Sequence, residues 1–461
     1  MTNLIVAIIL GAFASMGFFY PTLQLLVPTV FIIFTMTTVN NKSIFGFFSS
    51  FHTIGSMWLL VPIHYIGGLN YMLSLMVISL LGIFFGLIYS LSYRLTSVFK
   101  SNNSLLTFML LPTAIMISEF IKLHILGGYP FLIFGYFFAT SSFSFIIPFL
   151  GIYGCTFIFV FACSFIGKSI KNKNIVKLII ILFFIVISEL IEIKPPLFYK
   201  HFKPLSIYVV HTNKHYLTEK NVIKSKAKPE ILNKSVDLIL YPEAMYGQLD
   251  NIKTNSKSTY ILTGLIFHDD QKKGSYNSMI GINKNNQIDY LHKKHHLAQF
   301  NEWIPSSIQH LLKLLELPHQ GFIAGNGTDT NGAINDINFM GLICYELLFS
   351  SFIYQHIDDA NVILSNNDLG WFENSLFENH FNQIAQFMAL LTQKPIIISS
   401  NVGQSMYIKA NGEISHFKNN QVIITNTNEG KTPWMYYGDN TILFLILMFY
   451  GIIFLATRNH D

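Results

Sequence analysis

Phe339-Met340-Gly341-Leu342-Ile343-Cys344-Tyr345-Glu346 is the stretch from which the chain is best read. Phe339 to Ile343 is an apolar run of strand length, and a cysteine and then a glutamate stand where it ends. In layered α/β proteins chemistry gathers at the carboxyl ends of strands, where loops converge on a rigid sheet. Taken alone, Cys344 is as well explained by an ordinary buried thiol, because free cysteine is among the most buried residue types. Its company along the chain decides the matter.

Outward from that run, similar apolar segments recur at 204–210, 236–241, 260–267, 279–282, 362–364 and 396–399. Segments 305–316 and 378–393 have helical apolar spacing between them. Strands interleaved with helices predict a layered α/β domain. Lys214 to Lys234 is the most polar stretch and reads as solvated surface, so nucleic acid is not expected as a partner.

Two further polar groups stand in places comparable to that of Cys344. Glu243 ends the 236–241 run in Tyr241-Pro242-Glu243, and Lys294 lies in Tyr290-Leu-His-Lys-Lys-His-His-Leu297. A thiol nucleophile needs a base for its proton and a cation to hold a developing oxyanion. Glutamate, lysine and cysteine can supply those roles. Separately, each also reads as a surface acid, part of a basic run with Lys293, and a core thiol.

The rest of the composition is that of a membrane protein. Of 461 residues, 51% are hydrophobic and only 12% charged, with 43 Phe. Residues 1–193 are almost continuously apolar, 194–436 carry most of the charge, and 441–456 are apolar again. The expected organisation is a membrane domain over 1–193, a soluble domain over 194–436, and a last span with a short tail over 437–461. The apolar parts divide into about eight spans, near 3–19, 21–39, 44–65, 70–92, 104–124, 147–168, 174–193 and 441–456. The first lacks the basic start and cleavage site of a secretory signal, and more spans follow it. Lys42, Arg94, Lys100, Lys168, Lys171, Lys173 and Arg458 all fall on one side of this alternation. The loops near Gly67-Gly68 and Gly127-Gly128 hold almost no basic residue. The positive-inside rule makes the basic side cytoplasmic and sends 194–436 to the other. Cys155 and Cys163 then lie within a span, leaving Cys344 as the only thiol of the exported domain.

Tyr-Pro-Glu243, Lys294-His-His-Leu and Cys344-Tyr-Glu346 resemble the Glu-Lys-Cys signature of the nitrilase superfamily. Joined to a multispan half, they resemble the apolipoprotein N-acyltransferase family. Trp58-Leu-Leu-Val-Pro-Ile-His64-Tyr-Ile-Gly67-Gly68, Ser118-Glu119-Phe-Ile-Lys122, Gly127-Gly128-Tyr-Pro130-Phe and Gly135-Tyr136 are similar to that family's membrane-half segments. Thr263-Gly264, Tyr276-Asn277-Ser278, Phe300-Asn301-Glu302 and Ser400-Asn401-Val-Gly403 extend the likeness through the soluble half. The chain departs from the pattern at Leu297-Ala-Gln-Phe-Asn-Glu302, at Ser365-Asn366-Asn367-Asp368-Leu-Gly370-Trp371-Phe372 and at Met388 to Pro395.

The resemblance implies a nitrilase-like α-β-β-α sandwich attached to a polytopic helical membrane domain, at the outer face of a bacterial inner membrane. It implies ping-pong transfer of an acyl chain from a phospholipid, usually phosphatidylethanolamine, through a Cys344 thioester to a diacylated lipoprotein amine. Glu243 would be the base, Lys294 the oxyanion partner, and Glu302 and Glu346 supporting acids. Tyr241, Trp303, Tyr345, Trp371 and Asn401 are candidate substrate contacts. A monomer without cofactor is expected, and no metal, since no carboxylate or thiol stands at suitable helical spacing beside His292, His295 and His296. His64 and Glu119 keep open roles, and Lys122 is a candidate partner for Glu119. A nitrilase-related factor of conjugal transfer or pilus assembly, and an exported carbon-nitrogen hydrolase, are the alternatives.

Overall fold

The computed structural model describes residues 2–99, 104–174, 198–200, 203–212, 236–245, 259–271, 274–298, 302–303, 321–373 and 375–458. The expected span at 174–193 and helix at 305–316 therefore lie almost wholly outside the described residues.

Helices α1 (Thr2–Met16), α2 (Leu26–Met36), α3 (Asn41–Gly55), α4 (Tyr71–Ser97), α5 (Ser104–His124) and α6 (Ile147–Lys171) form the first half. Among the described residues, four segments are long and apolar enough to cross a membrane: Tyr71–Ser97, Thr107–His124, Ser144–Lys171 and Pro433–Ile453. Asn3–Met16 and Pro21–Met36 are shorter apolar helices. The run expected as one span over 44–65 is divided. α3 opens on a capping box between Asn40 and Ser43 and stops at Gly55, followed by short turns at Met57–Leu59 and Val61–Ile66. Pro62 has no N–H to continue a helix, and the turn around it projects toward the second half. α3 and α4 close tightly because a Cβ on Gly82 would stand 2.0 Å from Thr53 Oγ1.

The second half holds two six-stranded sheets. The first comprises β1 (Pro204–Val209), β2 (Leu238–Leu240), β3 (Tyr260–Asp269), β4 (Gly274–Ile282), β5 (Ile288–Lys293) and β12 (Gln421–Asn426), in the order β12-β1-β2-β3-β4-β5. The second comprises β6 (Asn331–Ile334), β7 (Ile337–Ile343), β8 (Val362–Asn367), β9 (Ile396–Ser400), β10 (Ser405–Ile408) and β11 (Ile414–Phe417), in the order β11-β10-β9-β8-β7-β6. Each sheet is mixed. β1, β2 and β3 run parallel, as do β7, β8 and β9, and the outer strands pair antiparallel.

Side-chain alternation sorts these strands into layers. Leu238, Leu240, Leu262 and Met279 of the first sheet share one core with Phe339, Ile343, Val362, Leu364 and Ile397 of the second. Ile239, Ile261 and Ile280 bury the far face of the first sheet. Met340, Leu342, Ile363 and Ile398 bury the far face of the second against α7 (Ser350–His356), α8 (Phe377–Thr392) and the helical half. α9 (Pro433–Arg458) then returns to pack on α6.

The two halves are joined by polar contacts as well. His380 of α8 accepts the Leu132 N–H at Nε2 (2.9 Å), while its Nδ1 lies 3.1 Å from Gln383 Oε1. This fixes a neutral tautomer with the proton on Nδ1. Asn379 donates to the Phe19 carbonyl (2.8 Å) and Gln383 to that of Tyr136 (3.2 Å).

Candidate active site

Glu243 follows β2, Lys294 follows β5 and Cys344 follows β7, so three strand ends bring them to one rim of the inter-sheet space. Asn277 of β4 completes the polar set. Its Nδ2 donates to Glu243 Oε1 (2.6 Å) and to Glu302 Oε1 (2.7 Å), while Lys294 Nζ donates to the same two oxygens at 3.1 and 3.0 Å. The four groups form a closed ring, and all are buried. Glu243 Oε2 accepts the Asp368 N–H (2.8 Å) and Glu302 Oε2 that of Ala298 (2.7 Å). Lys293, the neighbouring cation, faces elsewhere, with Nζ 4.3 Å from the centroid of the Tyr276 ring.

Cys344 begins a short 3-10 turn with φ at +48°, a left-handed conformation rare for a residue with a side chain. Such strain at a strand end is characteristic of functional positions. Burial and the nearby Glu243 carboxylate push the thiol well above its usual range, and Lys294 and the Asp368 N–H oppose them. The thiol therefore rests protonated and must lose its proton at the moment of attack. Glu243 is suited to take it. Burial raises its carboxyl to about 7, against the opposing Lys294 charge and with the help of Glu302. Burial alone would lower Lys294, but Glu243 and Glu302 outweigh it and keep the ammonium charged. The arrangement can deprotonate a thiol and hold an oxyanion, which is the requirement of acyl transfer through a thioester.

Glu346 has a different place. Its Oε2 accepts the Ile343 N–H (2.8 Å) and lies 2.8 Å from His292 Nε2, and its Oε1 accepts the His295 N–H (2.7 Å). Burial opposes ionisation, but His292 and these two N–H groups hold the carboxyl down at about 2. It ties the end of β7 to the segment carrying Lys294 and has no oxygen free for chemistry.

The candidate substrate contacts do not form one patch. Tyr241 is buried in the cluster on the far face of the first sheet, away from the inter-sheet space. Trp303 is 38% exposed. Tyr345 donates to the Gly128 carbonyl (2.9 Å), joining the nucleophile's neighbour to the helical half. Trp371 is half-buried in the turn Leu369–Phe372, which packs on Val61–Ile66 of the helical half. Asn401 is buried, with its N–H donated to the Asn367 carbonyl (3.3 Å).

Asn277, the Asp368 N–H and His292 are parts of this site that sequence reasoning did not single out for it. Asn277 stood within a motif of the resemblance, which was the available signal. His295 and His296 stack on Phe352 and Phe349, at 5.5 and 4.3 Å. His64 lies 2.6 Å from the Leu69 carbonyl through Nδ1.

Residues 206–427 match the model of the carbon-nitrogen hydrolase family, so this α/β domain with its two mixed sheets is nitrilase-like. Residues 7–165 match the apolipoprotein N-acyltransferase N-terminal domain. The apolipoprotein N-acyltransferase of Haemophilus influenzae is 28% identical over 87% of this chain and 83% of its own. That of Coxiella burnetii is 25% identical over 89% of each. A carbon-nitrogen hydrolase structure from Helicobacter pylori aligns with a TM-score of 0.34 and 12% identity, covering 49% of this chain and 89% of that one. With both of its characteristic parts present in order, the chain belongs to the apolipoprotein N-acyltransferase family.

Proposed function

We propose that this membrane enzyme moves an acyl chain from a phospholipid to the N-terminal amine of a diacylglyceryl-cysteine lipoprotein, in two steps through Cys344. In the first, Glu243 takes the thiol proton as Sγ attacks the sn-1 ester, with phosphatidylethanolamine as the expected donor. Lys294 holds the tetrahedral oxyanion, and the lysophospholipid leaves with the proton from Glu243. In the second, the amine attacks the thioester and the amide leaves. Glu302 and Asn277 orient Glu243 and Lys294, and Glu346 positions the strand end. No cofactor enters either step, and one chain suffices as a monomer.

The observation that carries this reading is the buried ring of Asn277, Glu243, Lys294 and Glu302 beside a strained cysteine, within a domain seated on apolar helices. The seating also supports a side for it. Among the described residues, the segments that touch the α/β domain include Phe18, Phe19, Trp58, 61–66, 128–136 and the first turns of α6 and α9, all poor in Lys and Arg. Lys42, Arg94, Lys168 and Lys171 stand at the other ends of their helices. By the positive-inside rule the domain, taken as 194–436, faces away from the cytoplasm of a bacterial inner membrane. Eight spans and a complete α-β-β-α sandwich belong to the same proposal, with 1–193 and 437–461 as its membrane parts.

The test is to incubate the purified enzyme with phosphatidylethanolamine alone and examine Cys344 by mass spectrometry. A hydroxylamine-labile acyl adduct is expected there, together with lysophospholipid. No adduct under conditions where the whole reaction proceeds would overturn the mechanism. Failure of acylation with any diacylated acceptor would favour an assembly role.

A further inference from the structure

At the end of β8, beside the nucleophile, is a carboxamide that the two steps above do not use. Asn366 is wholly buried, and neither Nδ2 nor Oδ1 has a hydrogen-bond partner among the described residues. Buried polar groups are bonded as a rule, and exceptions call for a functional or structural reason. Strand alternation puts Asn366 on the face of Val362 and Leu364, which belong to the inter-sheet core. Its register partner in β7 is Ile343, the residue before Cys344, and Cys344 packs against the same core. Two residues further on, the Asp368 N–H binds Glu243.

Acceptors beside the thiol are few, and the unpartnered Oδ1 of Asn277 sits on the amide whose Nδ2 is committed to Glu243 and Glu302. Both oxygens of Glu243, Glu302 and Glu346 are already engaged. A neutral amine attacking a thioester carries N–H groups and one lone pair. Glu243 can receive one proton, and a second acceptor is needed to aim the lone pair. Building on the acyl-transfer reading, we propose that Asn366 Oδ1 accepts an N–H of the incoming lipoprotein amine and positions it for attack. The amine nitrogen then bonds to the thioester carbon, its proton passes to Glu243, the C–S bond breaks, and Glu243 returns the proton to Sγ. A neutral acceptor suits this step better than a carboxylate, which would hold the amine as a non-nucleophilic ammonium.

The experiment separates the half-reactions in the full-length enzyme. Thioester formation is measured with phosphatidylethanolamine, and transfer is then started with a diacylated lipopeptide bearing a free α-amine. Asn366→Leu should form the thioester within about threefold of the unaltered rate, which also shows that it folds, yet transfer about 10- to 100-fold more slowly. Acyl-enzyme should accumulate. Asn366→Asp should move the pH profile of transfer upward, and Asn366→Leu should not. Equal slowing of both half-reactions, or unchanged transfer, would overturn the assignment. An unaltered enzyme that forms no thioester would instead remove the reading beneath it.

Discussion

Among the described residues two buried acid–lysine sets differ in what they bind. In the helical half Glu119 and Lys122 lie one turn apart on α5, and each grips the backbone of the same loop. Lys122 Nζ donates to the carbonyls of Phe131 (2.8 Å) and Leu132 (3.2 Å), with His52 Nε2 at 3.3 Å. Glu119 accepts the Phe134 N–H (3.0 Å) and the Thr156 hydroxyl. In the α/β domain Glu243, Lys294 and Glu302 come from separate segments and bind mainly each other, next to a thiol. One set spends its hydrogen bonds on a main chain that must hold its shape. The other keeps its charges together beside the Cys344 thiol. Burial of charge alone does not mark a catalytic centre, and what the charges face does.

The comparison can be broken most severely at Cys344. Cys344→Ser should abolish acyl transfer, because a hydroxyl lacks the acidity that Glu243 can overcome. Thermal unfolding in detergent should be nearly unchanged, and full transfer by this variant would disprove the nucleophile. Lys294→Ala should lower thioester formation by roughly 10²–10³-fold, the scale of losing one oxyanion donor. Paired with Glu243→Ala it should be little worse than the poorer single variant, since the groups act as a unit. Additive losses in single-turnover rates would contradict the ring.

Lys122→Met should behave in the opposite manner. Removing one buried charge and leaving its partners costs about 3–5 kcal/mol of stability. The molecules that remain folded should still acylate Cys344 at a rate within a fewfold of the unaltered enzyme. Proportional loss of rate per folded molecule would place Lys122 in the chemistry.

A smaller effect concerns pH. Glu243 must be ionised to accept the thiol proton, and its carboxyl is raised to about 7. Thioester formation should therefore rise with pH through that region and level off above it. Glu302→Gln removes a negative neighbour that raises Glu243, so the rising limb should move to lower pH. A limb that stays fixed in rapid-quench measurements would assign it to another group. The mildest change is Tyr345→Phe, which removes one hydrogen bond to the Gly128 carbonyl. It should cost about 1 kcal/mol of stability by chemical denaturation. A much larger loss would mean that this contact sets the relation between the halves.

The strand ends were legible in the sequence because apolar runs stop abruptly at Glu243 and Cys344. The core strands β1 to β4 and β7 to β9 were legible for the same reason. β5 was not, since Ile288-Asp289-Tyr290-Leu291-His292-Lys293 mixes charge into its alternation. β10 and β11 are four residues each, and polar residues at both ends of β12 hide its period. The tie between His292 and Glu346 joins residues 54 positions apart, a pairing that no local pattern encodes. The left-handed backbone of Cys344 was equally invisible, because only the surrounding packing enforces it. Segment 378–393, by contrast, was expected as a helix, and α8 occupies Phe377–Thr392.

α8 has a consequence of its own. Its residues Phe381, Ile384 and Phe387 belong to a single apolar cluster that also contains Phe31, Phe134 and Phe159 of the helical half and Leu342, Ile363 and Ile398 of the second sheet. Among the described residues that cluster runs from the helices through α8 to the second sheet, so the place of Cys344 relative to the bundle is set by close packing. Any melting of the bundle should therefore loosen the second sheet with it.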